Sequence, residues 1–280
     1  MTKSVSVKNN ILMRKAAGAG QYIFLSLAAI VSIFPFLWII IGTTNASKDI
    51  TMGKMTLGNQ LVTNFNNLIQ VGNVWLCLTN TAILALIITT ASILVCSLAG
   101  YGFVVFRSKV KDKFFSLILL SMMIPTSSLM VPLFKMFSGM HLLNTKLGVA
   151  LPALSTAFLI FFFRQNTKSF PYETIQAARI DGLSELGIFF RIYMPMMKST
   201  YSAAAIITFM SSWNNYMWPL VSLQTKDQRT LPLLISSLGT AYTPDFGMIM
   251  IGIVITTIPS ALVFFLMQKS FVEGMMGSVK

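Results

Sequence analysis

The 280-residue chain is short of charge: 10% of its residues are Asp, Glu, Lys or Arg, while 55% are hydrophobic. Soluble proteins carry about 25% charged residues, so this composition does not suit a chain folded in water. Acid is scarcest, with 8 Asp and Glu against 21 Lys and Arg. Cysteine and histidine are nearly missing, at 2 and 1. His141 falls in an expected outer loop with no second His or Cys beside it, so it offers no metal-ligand cluster. Cys77 and Cys96 stand 19 residues apart in one expected helix. That spacing is roughly 28 Å along a straight helix, too far for a disulfide, and both read as packing residues. A GxxxxGK[ST] phosphate loop is absent from the sequence. A soluble enzyme, a disordered protein and a nucleic-acid-binding module are disfavoured together.

What is present is long apolar sequence. Six stretches hold no charged residue at all: 16–47, 55–106, 114–134, 147–163, 199–225 and 246–268. Each has room for the roughly 17 to 25 apolar residues that a helix needs to cross the hydrocarbon core. The expectation is an all-α membrane protein of six transmembrane helices, over about 22–43, 75–106, 114–134, 147–164, 200–221 and 246–268. Residues 1–20 read as a basic leader and 271–280 as a tail. The first stretch is too long for a signal core of roughly 7 to 15 residues and shows no small-residue cleavage site, so an uncleaved span is expected. Residues 44–74 carry no charge over 55–74 but are rich in Asn and Gln, too polar to cross.

Net charge of +13 acquires its meaning from its distribution. With the N-terminus inside, the inner segments hold fifteen basic residues: Lys3, Lys8, Arg14, Lys15, Arg107, Lys109, Lys111, Lys113, Arg164, Lys168, Arg179, Arg191, Lys198, Lys269 and Lys280. Six fall outside: Lys48, Lys54, Lys135, Lys146, Lys226 and Arg229. This asymmetry is the positive-inside pattern for a chain with both termini in the cytoplasm. No basic stripe is interleaved with aromatics, so nucleic acid is not an expected partner, whereas membrane lipid is.

One inner segment, 165–199, is longer than a connection needs and holds Glu173, Asp181 and Glu185. Pro171 and Glu173 suit a helix N-terminus, where the macrodipole favours negative charge. Gly182 suits a left-handed C-terminal cap. A second helix is expected from about Ser184 to Tyr193, with Leu186, Phe189, Phe190 and Tyr193 on one face and Pro195 as its stop. Ala177 and Ala178 are small side chains that permit close approach of another backbone. Two readings stand: an amphipathic element resting on lipid headgroups, or a docking site for a cytoplasmic protein. Pro125 and Pro132 are expected to break the third span, either around a cavity or as a kink satisfied by Thr126, Ser127 and Ser128.

The run Pro171-Tyr-Glu-Thr-Ile-Gln-Ala-Ala-Arg-Ile-Asp-Gly-Leu, continued to Pro195, resembles the EAA loop of ABC importer permeases. Gln176 stands where that loop has its glutamate. Trp213-Asn-Asn-Tyr-Met-Trp-Pro-Leu, Thr230-Leu-Pro-Leu and the ending from Phe271 to Lys280 resemble carbohydrate-type permeases of the MalG-like group. The resemblance implies a binding-protein-dependent inner-membrane component of a prokaryotic cell membrane, transporting a sugar or oligosaccharide. It implies a homologous second permease, two cytoplasmic ABC ATPase subunits that bind ATP and Mg, and an extracellular solute-binding protein. Glu173, Gln176, Ala177, Ala178, Asp181, Gly182 and Pro195 would then couple the chain to its ATPases, with Gly274, Gly277 and Lys280 near the same interface.

On this reading the chain is not an enzyme and holds no cofactor or metal. Amides and aromatics in the spans, Asn80, Trp213, Asn214, Asn215 and Trp218, are candidates for the pathway or for sugar contact, set against their ordinary roles as interhelical bonds and interfacial anchors. The alternatives are an ABC importer permease for a non-sugar solute, an ion-coupled secondary transporter or channel, or a membrane subunit without a transport role. Ion coupling calls for buried ionisable groups, and the six charge-free stretches supply none.

Overall fold

A computed structural model of the chain describes residues 2–276. Its described residues are helical and contain no strand: α1 (Thr2–Thr43), α2 (Ser47–Thr51), α3 (Leu61–Val71), α4 (Val74–Val105), α5 (Lys109–Ser121), α6 (Met130–Gly139), α7 (Lys146–Ala150) and α8 (Ala157–Thr167). There follow α9 (Tyr172–Ile180), α10 (Glu185–Ile188), α11 (Met194–Met196), α12 (Lys198–Trp213), α13 (Met217–Ser222), α14 (Leu231–Gly239) and α15 (Phe246–Met276).

Among the described residues, three helical stretches are long and apolar enough to cross a membrane alone: Gly20–Thr43, Val74–Val105 and Phe246–Lys269. Two bent pairs bring the number to as many as five. One runs from Lys109 to Gly139 with a 96° bend, the other from Lys146 to Thr167 with a 44° bend. The remaining apolar stretch is divided: α12 has 16 residues, and after Trp213 the chain leaves the helix before α13 begins. At about 1.5 Å per residue α12 is roughly 24 Å long, short of a full crossing. The basic stretch expected as a leader continues the first span, because α1 begins at Thr2.

The chain forms two compact units. In the first, made of residues up to 71 with 241–254, the asparagines of the polar loop act as ties. Asn64 is buried, and its amide donates to the carbonyls of Thr43 and Asn45 at 2.9 Å each, binding α3 to the end of α1. The Asp245 carboxylate accepts from Ser47 Oγ at 2.9 Å and from Met248 N at 3.2 Å, capping α15. The loop expected between the first two spans is therefore partly helical, its polarity consumed by backbone groups that helix ends leave open.

The second unit comprises residues 72–240 and 255 onward. Here α4 is the central helix, with α8 and α12 packed along it. Small residues permit the approach: Ala85, Cys96, Ala203 and Ala204 are fully buried. Gly100 marks the tightest point, where an added Cβ would lie 2.6 Å from Phe163 Cβ and 2.8 Å from Arg164 N. Ser92 Oγ donates to the Ala153 carbonyl at 2.7 Å, a further tie to the segment before α8. Pro125 ends the helical path after α5, and its exposed neighbours Thr126 to Leu129 form a tight turn. Pro132 breaks nothing, because it occupies the first turn of α6, where its missing N–H has no intrahelical partner to lose.

Candidate functional site

The segment expected as a coupling loop forms a structured element built on α9. Glu173 lies in its first turn, and Arg179 in its last, each at the end the helix dipole favours. The helix closes on glycine as the spacing predicts: Gly182 has φ +80°, its N–H donates to the Arg179 carbonyl at 3.1 Å, and Leu183 N–H reaches the Ala178 carbonyl at 3.0 Å. This bond pair is a Schellman turn, and its usual hydrophobic contact is present because Leu183 packs beside Ala178.

An ion pair clamps the turn. Arg179 Nε donates to Glu185 Oε1 at 2.6 Å and Nη2 to Oε2 at 3.1 Å, while Nη1 lies 3.4 Å from the Tyr172 hydroxyl. These bonds, Glu185 first and Tyr172 second, raise the Arg179 pKa further above its already high ordinary value. The pair is half-exposed, so its worth is geometric more than energetic.

Beneath the helix lies an aromatic cluster. Ile175 and Ala178 face inward onto Tyr101, Phe170, Ile188, Phe189 and Tyr193, all buried. The Tyr193 ring lies 4.9 Å from that of Tyr101 and 5.4 Å from those of Phe170 and Phe189. Its hydroxyl shares a 2.6 Å hydrogen bond with Thr167 Oγ1 at the end of α8. Burial pushes the Tyr193 phenol upward, and the Thr167 bond offsets this only in part. The cluster thus joins α9 to α4 through packed rings, and to α8 through the Thr167 bond.

Two details depart from expectation. Ala177 and Ala178 do not both face outward, since Ala178 is buried and Ala177 exposed. Adjacent residues sit about 100° apart around a helix, so one small pair serves two surfaces. Pro195 is not a stop, because it lies inside α11. Phe189 to Tyr193, which end two residues before it, form a π-helical turn, in which bonding has already shifted away from the i−4 partner that proline would lose. The chain turns instead at Met197, whose N–H bonds the Tyr193 carbonyl at 3.0 Å.

The outward surface of α9 and its turn consists of Glu173, Gln176, Ala177, Ile180, Asp181 and Gly182. Ile180 is 87% exposed, an apolar side chain left in the open between the Asp181 carboxylate and the Gln176 amide. Gly274 is within α15, while Gly277 and Lys280 lie outside the described residues.

The span candidates separate by their bonding. Asn80 is buried and donates to the carbonyls of Asp227 and Arg229 at 2.8 and 3.1 Å. Trp213 Nε1 donates to the Thr256 carbonyl at 3.0 Å, and Trp218 Nε1 to that of Gly148 at 2.9 Å. Asn214 bonds back to the Met210 carbonyl at 2.9 Å. Asn215 lines a cavity between α8 and the end of α12. The structure does not bring this group together with the α9 surface. Sequence reasoning missed the Arg179–Glu185 clamp and the Tyr193–Thr167 bond, although a basic residue six positions before an acid across a glycine turn was a legible hint.

Apolar helical segments long enough to cross a membrane, up to five among the described residues, with one ordered polar element between them, describe a multi-pass membrane protein. The chain belongs to the family of binding-protein-dependent transport system inner membrane components, whose sequence profile matches residues 92–276. This bears out the resemblance read from the motifs. The chain is 49% identical over 269 residues to the lactose transport system permease protein LacG of Rhizobium radiobacter, covering 96% of this chain and 98% of that one. It is 35% identical to the arabinooligosaccharides transport system permease protein AraQ of Halalkalibacterium halodurans, covering 90% and 92%. Its fold matches a chain in the crystal structure of a bacterial ABC transporter involved in the import of the acidic polysaccharide alginate, with TM-score 0.81, 20% identity, and coverage of 92% and 97%. That last likeness is one of fold alone.

Proposed function

We propose that the chain is one of two permease subunits of an ATP-driven importer for a sugar or oligosaccharide. Six spans carry it across the membrane: α1, α4, the α5–α6 pair, the α7–α8 pair, α12 with α13, and α15. Both termini are cytoplasmic, as the segregation of basic residues supports. Named lactose and arabinooligosaccharide relatives support the sugar class. ATP and Mg bind to two partner ATPases, and an extracellular binding protein delivers the solute to this chain and a second permease.

The observation that carries the reading is the construction of α9, exposed on one face and locked to the body on the other. ATPase closure would press on Glu173, Gln176, Ala177 and Ile180. Close-packed interiors transmit displacement rather than absorb it, so the motion passes through Ile175 and Ala178 into the Tyr101–Phe189–Tyr193 cluster. From there it reaches α4, α8 and, through α11, the start of α12. Gln176 keeps hydrogen-bonding capacity at the docking face without the charge of a glutamate. Translocation follows when ATP biases two helix arrangements that the docked partners bind with different affinity.

The test is reconstitution of the whole importer in proteoliposomes, with a cysteine at Ala177→Cys. The expected outcome is ATP-dependent uptake of lactose or another neutral sugar, and a cross-link from position 177 to the ATPase. Uptake without any such cross-link sinks the coupling role, and failure to import any of a panel of sugars sinks the substrate class.

A further inference from the structure

Hydroxyl groups in the apolar helices of the second unit usually close on backbone carbonyls. Thr79 bonds to Trp75 O at 2.8 Å, Thr81 to Cys77 O at 2.7 Å, Thr90 to Leu86 O at 2.8 Å and Ser222 to Trp218 O at 2.8 Å. The end of α12 behaves differently. There the side chains of Thr208, Ser211, Ser212 and Asn215 find no hydrogen-bond partner among the described residues, and the Ser212 hydroxyl oxygen is buried. Thr208, Ser211 and Ser212 recur at i, i+3 and i+4, which is one face of α12, and Asn215 follows just past the helix end. All four line a single cavity of about 100 Å³, opposite Thr156 and Phe158 at the start of α8.

An unbonded hydroxyl or amide facing hydrocarbon is unfavourable, so this face meets water, the second permease or the solute. Several observations favour the solute. The cavity is lined by no Asp, Glu, Lys or Arg, which suits an uncharged ligand. Phe158 is 45% exposed beside the polar groups. An aromatic face next to hydroxyl and amide groups is the combination that a pyranose ring uses, the ring face for its C–H groups and the polar groups for its hydroxyls. The volume equals about three waters, room for one edge of a sugar and not for a whole ring. Asn215 lies just past the end of α12, its backbone N–H bonded to the Ser212 carbonyl at 3.2 Å and its side-chain amide free to face the cavity.

We infer that Thr208, Ser211, Ser212 and Asn215, with Phe158, form a contact subsite for the hydroxyl edge of an uncharged sugar during passage. This rests on the sugar-importer reading above.

The experiment uses the complete importer in proteoliposomes with radiolabelled lactose as the probe. Ser211→Ala/Ser212→Ala and Asn215→Ser are made beside Thr90→Val, a control whose hydroxyl bonds only its own helix. Complex recovery reports assembly. The KM for uptake is expected to rise about fivefold or more in the first two variants, with complex recovered in wild-type yield, and to stay put in the control. In a parallel arm, Ser212→Cys in the assembled importer is labelled by a small methanethiosulfonate reagent, and lactose is expected to slow that labelling at least threefold. An unchanged KM in the recovered variants, or labelling indifferent to lactose while uptake is intact, marks a water-filled niche and overturns the subsite. Wild-type importer that takes up neither lactose nor any other neutral sugar overturns the substrate reading itself, and the subsite falls with it. A variant recovered in low yield is judged by the labelling arm.

Discussion

Replacement of Gly182 isolates the turn that closes α9. Its φ of +80° is the left-handed region, and a Cβ placed there meets nothing within 4 Å. The penalty for Gly182→Ala is therefore a backbone penalty alone, about 1–2 kcal/mol for an L-residue held left-handed. Asparagine enters that region more readily, so Gly182→Asn should cost less. Gly182→Pro cannot adopt the dihedral and also removes the N–H that reaches the Arg179 carbonyl at 3.1 Å, for about 3 kcal/mol or more. The expected order of damage is Asn, then Ala, then Pro. A change of 1–2 kcal/mol moves the closed-to-open ratio of the turn by about 5- to 30-fold. Two assays read it: reversible denaturation of the purified full chain in mixed micelles, and lactose uptake by the reconstituted importer. Asn as harmful as Ala, or Ala as harmful as Pro, refutes the left-handed argument. Wild-type uptake in the proline variant refutes the coupling role of the turn.

Other perturbations act on the same scaffold. Ala178→Leu overpacks a buried position and should destabilise the chain by about 1–3 kcal/mol, whereas Ala177→Leu leaves denaturation unchanged and weakens ATPase capture. A double-mutant cycle on Arg179 and Glu185 should give a coupling of about 0.2–1 kcal/mol that shrinks in high salt, since the pair is half-exposed; a salt-independent value contradicts it. Asn80→Leu leaves the Asp227 and Arg229 carbonyls without their donor and should cost about 1–3 kcal/mol on denaturation. The raised Tyr193 phenol gives a pH signature. Its folded form keeps the proton more tightly than the unfolded chain, so its contribution is complete below about pH 10 and declines as pH rises above that. Denaturation followed from pH 8 to 11 should show this decline in the wild type and less of it in Tyr193→Phe.

The α9 element was largely legible because helix ends are local events. Proline and acid at one end, glycine at the other and the apolar spacing between them act within a few residues, and the cap forms as read. The Asn-rich loop was legible as polar but not as helical, because its asparagines act on chain ends brought in from other elements. Pro195 misled for a similar reason: whether a proline stops a helix depends on whether its i−4 bond exists, and the π turn before it had already removed that bond.

The sequence by itself determined that the chain lives in a membrane, which segments bear its charge, and which segment resembles the EAA loop of its family. Each of these follows from composition or from contacts within one or two helical turns. Tertiary structure decided which polar side chains are spent. Asn80, Trp213 and Trp218 are matched to carbonyls far away in the chain, while Thr208, Ser211, Ser212 and Asn215 are left open toward a cavity. Residue type and periodicity are the same kind of signal in both groups. The difference is whether another backbone carbonyl comes within about 3 Å, and only the packing of distant helices sets that distance.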